Sequence, residues 1–115
     1  SGHSGLNEAE VNTLVATLRA NGTVVLLMGV RTLPDTVAAL TAHGISADTP
    51  MATIENGYSD AERVTITTLE KSGRDCAEVK APAITVIGEV VYYARDDQQQ
   101  FVSEVHEKLR AQSTS

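Results

Sequence analysis

The chain is poor in the residues that most often announce a function. Its 115 residues include a single Cys, no Trp, one Phe, three Tyr and three Pro, and there is no surplus of positive charge. The lone Cys76 cannot close an internal disulfide, so a hydrophobic core has to hold the chain, and a reducing cytoplasm is the expected compartment. With 3% aromatic residues there are few platforms on which bases could stack, and a net charge of -6 repels phosphate backbones and anionic lipid alike. Nucleic acid and membrane are therefore not expected as partners. The apolar runs "TVVLLMGV" and "APAITVIGEVV" break off after eight to eleven residues, short of the roughly 18 to 20 that a membrane helix needs. No basic segment leads into an apolar one at the start, so no signal peptide is expected.

The common constellations of chemistry are missing too. His3, His43, His106 and Cys76 have no metal-ligand spacing among them, which argues against a zinc site. Neither G-x-G-x-x-G nor G-x-x-x-x-G-K-[ST] occurs. Cys76 has Arg74 and Lys80 nearby, which would suit a reactive thiol; an incidental surface or half-buried Cys is the favoured reading. His43 reads as a cation at a helix C-terminus.

What is present is the material of one α/β domain. Apolar residues make up 42% of the chain and charged residues 21%, and a chain of this length buries roughly two thirds of its unfolded surface. Asn7 followed by Glu10 forms a capping-box pattern, and Val11, Leu14, Val15 and Leu18 then recur at helical spacing, which predicts a helix over 8–20. "TVVLLMGV", residues 23–30, predicts a central strand covered on both faces. Pro34, Asp35 and Gly44 bracket a second helix over 34–43. "TPMATIE" predicts a second strand, and "RVTITTLEK" a third with two unlike faces, because Val64, Ile66 and Thr68 alternate with Thr65, Thr67 and Leu69. Residues 72–80 read as a loop or short helix. "AITVIGEVV" predicts a fourth strand, and Val102, Val105 and Leu109 a weaker helix over 97–111. The expected fold is α/β, a mixed and mostly parallel sheet flanked by helices.

One stretch raises a question of its own. In "PMATIENGYSDAERVTIT" a strand halts at Glu55-Asn56-Gly57 and restarts at Arg63, a gap wider than a tight hairpin requires. Taken singly, Met28-Gly29 and Asn56-Gly57 are turns. Both nevertheless follow strands, and in open α/β sheets ligands gather beyond strand C-termini. Glycine lets a backbone approach a ligand closely, and methionine offers an adaptable wall for a flat ring.

"TVVLLMGV", then "HGISADTPMATIENG", then an Arg six residues after the Gly, then "APAITVIGEVV" resemble the C-terminal half of uroporphyrinogen-III C-methyltransferase, within the S-adenosylmethionine-dependent tetrapyrrole methylases. The resemblance runs over about residues 22–91, and "SGH" at the start looks like the end of the family's central segment rather than a tag. It implies a two-domain enzyme, commonly a homodimer, that methylates uroporphyrinogen III at C2 and C7 to give precorrin-2 for sirohaem and cobalamin synthesis. Residues 1–91 would be its C-terminal, cofactor-cleft domain, 92–115 a C-terminal helix or linker, and the glycine-loop N-terminal domain would be absent. Carried over by position, Met28 would contact the adenosine of S-adenosylmethionine, Gly57 would meet the adenine edge, and Ala52 and Ala83 would line the same pocket. The gap after Glu55 would thus face an adenine. Arg63 would either meet a tetrapyrrole carboxylate or brace the loop, bracing being preferred. The chain departs from the family at Leu27, commonly Tyr, and at Tyr58, commonly Thr. Half a cleft implies no methylation by this chain alone. The rivals are another precorrin methylase and a non-enzymatic module that binds a nucleoside or dimerises.

Overall fold

The computed structural model describes residues 6–28, 30–80 and 83–113. Helix α1 spans Glu8–Arg19 and starts at the expected capping box. The Asn7 side chain accepts from the Glu10 amide at 2.8 Å, and the Glu10 carboxylate accepts from the Asn7 amide at 2.9 Å. Strand β1 is Val24–Met28, and α2, Leu33–Ala42, carries Pro34 in its first turn. Strands β2, Pro50–Glu55, and β3, Arg63–Thr68, flank the gap after Glu55. A four-residue helix α3, Ser72–Asp75, leads back to β4, Ala83–Ile87, and the chain closes with 3-10 turns over Glu89–Arg95 and helix α4, Gln98–Ser113.

The strands lie in the order β1-β4-β2-β3, and every pairing is antiparallel. This corrects the expectation of a mostly parallel sheet. β1 and β2 do point the same way, but β4 lies between them and runs against both. The apolar run of β4 is buried along its whole length, and such burial does not require parallel pairing. β1 is also an edge strand rather than a central one, and Leu27 near its end is 70% exposed.

Two cores share the sheet. On one face α1, α2 and the segment after α3 pack Val11, Val15, Leu33, Leu40 and Val79 against Val24, Met51 and Ile87. On the other, the 3-10 turns and α4 pack Val91, Phe101, Val102 and Val105 against Val25, Ala52, Ile54 and Val86. The alternation read in β3 follows this division, since Val64 and Ile66 join the α4 side while Leu69, just past the strand, joins the other. "AITVIGEVV" is strand only as far as Ile87, because Gly88 turns the chain at φ 134° and ψ 175°. That region of backbone space is open essentially to glycine alone. At the end of α2, His43 is the C-cap residue, with its ring Nδ1 2.8 Å from the Ala39 carbonyl. Arg19 of α1 brings a further cation to that helix end, its guanidinium donating to the His43 carbonyl at 2.7 Å.

Candidate functional site

The antiparallel register gathers the ends of all four strands into one row. Met28 of β1 stands opposite Ala83 of β4, Ala83 opposite Glu55 of β2, and Glu55 opposite Arg63 of β3. Two of the candidate cofactor residues, Met28 and Ala83, are thus direct neighbours, and Gly57 lies two residues beyond the third member of the row. Ala52 is elsewhere. It pairs with Val86 and Ile66, is fully buried, and belongs to the core beneath α4. Ala83, buried as well, belongs to the opposite core.

Glu55 is the buried charge of the row, at 6% exposure. One carboxylate oxygen accepts from the Lys80 amide at 3.1 Å, while the other lies 3.6 Å from Nε of Arg63 and has no hydrogen-bond partner. A buried carboxylate needs such compensation, and the ion pair links the facing residues of β2 and β3. Next to Glu55 on the same face, the buried Thr53 hydroxyl also lacks a hydrogen-bond partner. Burial pushes the nearby Cys76 thiol above its ordinary range. A thiol so placed is protonated at neutral pH, which is the inert form of the two readings of Cys76.

The gap after Glu55 is an internally bonded loop. Asn56 and Tyr58 adopt positive φ, 51° and 67°, a conformation that non-glycine residues take up rarely. The Ser59 hydroxyl donates to the Asn56 carbonyl at 2.7 Å and accepts from the Ala61 amide at 3.1 Å. The Tyr58 amide donates to the Glu62 carboxylate at 3.1 Å.

Over this loop lies a residue that sequence reasoning passed by. The His106 ring of α4 stacks on Tyr58, with ring centroids 4.4 Å apart and planes inclined by 22°. A Cβ added to Gly57 would fall 2.7 Å from Nε2 of His106, so glycine at 57 is what admits the ring. Nε2 is buried and has no hydrogen-bond partner. The Tyr58 hydroxyl reaches Ser103 Oγ at 3.3 Å. A cleft of about 350 Å³ adjoins the pair, lined by Tyr58, Ser59, Glu62, Gln99, Val102 and Ser103. The available signal was spacing, since His106 follows Val102 by four residues and therefore shares its helix face. Among the described residues no helix is long and apolar enough to cross a membrane.

No protein-family model matches the chain. Over 73 residues it is 48% identical to the S-adenosyl-L-methionine-dependent uroporphyrinogen III methyltransferase of Methanosarcina barkeri, a match covering 62% of this chain and 29% of that protein. It is 41% identical over 75 residues to a siroheme synthase of Hydrogenovibrio crunogenus, covering 64% of this chain and 16% of that one. Among solved structures it is similar to uroporphyrin-III C-methyl transferase from Thermus thermophilus complexed with S-adenyl homocysteine. There the TM-score is 0.56 at 31% identity, over 61% of this chain and 32% of that one. The resemblance read from the motifs is thus present in sequence and in fold, over a length close to that of the stretch 22–91. The chain spans a third or less of each of these proteins.

Proposed function

We propose that this chain is the C-terminal, cofactor-cleft domain of an S-adenosylmethionine-dependent tetrapyrrole methylase, and that its full-length parent methylates uroporphyrinogen III at C2 and C7 to give precorrin-2. The observation that carries the reading is the coincidence of two independent facts. The similarity to uroporphyrinogen III methyltransferases covers 73 residues, and the register sets Met28 and Ala83, two residues singled out by that resemblance, side by side at one end of the sheet. The backbone at Gly57 suits the adenine of the cofactor, because the face that lacks a side chain already takes a flat ring.

In this reading Gly57 admits the adenine edge at the turn after β2, Met28 and Ala83 mark the neighbouring strand ends of the same row, and Ala52 lies deeper, in the core beneath α4. Glu55 and Arg63 hold the ends of β2 and β3 so that the loop keeps its shape. S-adenosylmethionine supplies the electrophilic methyl group when bound. What this chain contributes is position, since an in-line approach of methyl group and ring carbon depends on geometry held from both sides of a cleft. The N-terminal glycine-loop domain, the tetrapyrrole and a second subunit of a homodimer are the partners implied.

Two measurements test the proposal. The chain by itself is expected to bind S-adenosylmethionine weakly or not at all and to methylate nothing; saturable micromolar binding by calorimetry would overturn that part. Residues 22–91 should also replace the matching segment of the Methanosarcina barkeri enzyme and leave a folded chimera that binds S-adenosylhomocysteine and methylates uroporphyrinogen III. A folded chimera that binds no S-adenosylhomocysteine would refute the assignment.

A further inference from the structure

We infer that the His106 imidazole occupies the place of the cofactor's adenine, so that Tyr58 and His106 form a ring gate over Gly57 which the cofactor has to open. The inference rests on the cofactor reading above and adds to it a residue of α4. Three observations meet at one point. A flat heteroaromatic ring lies against the one backbone position, Gly57, where a Cβ would collide with it. The same ring is stacked on Tyr58 at 4.4 Å. Its inward nitrogen, Nε2, is buried with no hydrogen-bond partner, so the ring fills the position sterically without satisfying its polar edge. An adenine offers the same flat shape with more polar atoms along its edge, and it can stack on Tyr58 in the same way.

The gate is local. α4 itself is anchored by Phe101, Val102 and Val105, which are buried in the core. Tyr58, by contrast, is 65% exposed, and the cleft of about 350 Å³ beside it offers room into which the pair can separate. Opening therefore asks for a rotation of two side chains and leaves the helix in place. Tyr58 becomes a specificity residue of this chain, gripping a flat ring by stacking on it.

The test is an NMR titration of the chain with S-adenosylhomocysteine, following the Gly57 amide and the His106 side-chain signals, in wild type, His106→Ala, His106→Phe and Tyr58→Thr. Stacked aromatic pairs contribute enough that removing the competing ring should tighten binding roughly two- to tenfold. His106→Ala is expected to show that gain and His106→Phe, which keeps the ring, is expected not to. In wild type, ligand should shift the His106 signals and abolish the contact between His106 and Tyr58. If all variants bind equally and that contact survives in the complex, the gate is wrong while the cofactor reading stands. If no variant binds at millimolar ligand, His106→Ala included, the gate is wrong, because removing the ring does not open a site, while the cofactor reading, which expects at most weak binding by this chain alone, is decided by the chimera. Gly57→Ala keeps the experiment independent of folding losses at 106. Its Cβ must expel the His106 ring, and retention of the stack in that variant would also overturn the inference.

Discussion

Replacing Phe101 by Ala asks whether α4 is part of the domain. Phe101 is the one Phe of the chain and is fully buried in the core between α4 and the sheet. Burying such a side chain contributes about 1.5–3 kcal/mol in transfer free energy. The cavity left by truncation adds to the loss, because the surrounding side chains relax only in part, and the total for Phe→Ala in a core is about 3–5 kcal/mol. Against a whole-domain stability of about 5–15 kcal/mol this is a large fraction. For a chain of this length it corresponds to a fall in Tm of roughly 10–25 °C. Urea unfolding followed by circular dichroism would measure it, with Lys108→Ala on the exposed side of the same helix as the control, expected within about 0.5 kcal/mol of wild type. A loss below about 1 kcal/mol for Phe101→Ala would refute the packing. Residues 92–115 would then behave as the linker that was one of their two sequence readings.

Gly88→Ala should destabilise by about 1–3 kcal/mol, because φ 134° is strained for any side chain and the added Cβ would lie 3.0 Å from the Gly22 carbonyl oxygen; thermal unfolding that matches wild type would contradict this. The Asp75 carboxyl is held below the ordinary aspartate value of 3.8, first by the 2.7 Å hydrogen bond from Thr67 and then by Arg74. A depressed carboxylate contributes stability that is present above its unfolded value and is lost as the pH falls through the folded one. The acid limb of the stability profile should therefore shrink in Asp75→Asn, by a small amount because the group is open to solvent, and an unchanged limb would count against the interaction. Cys76, buried and with its thiol raised by that burial, should react with a disulfide reagent at neutral pH only as fast as the domain opens. Rapid labelling of the native chain would show that the thiol is exposed.

The legible part of this protein was local. The Asn7–Glu10 cap, the helix after Pro34, the two-faced β3 and the existence of four strands all follow from residues within a few positions of one another, where propensity, capping and period act directly. The resemblance over 22–91 was equally a matter of contiguous motifs, and it led to Met28, Ala83 and Gly57. Strand order and direction were not legible, because an apolar strand buried on both faces has the same composition whether its neighbours run with it or against it. The pairing of Met28 with Ala83 joins residues far apart in the chain, and its free energy depends on which partner wins the competition in the folded sheet. The use of Gly57 belongs to the same class. A glycine after a strand reads as a turn or a ligand contact, and only the docking of α4 on the opposite side of the sheet from α1 and α2 brings His106 to within contact of it. Local periodicity predicts which face of a helix is buried; what that face meets is set by the packing of the whole chain.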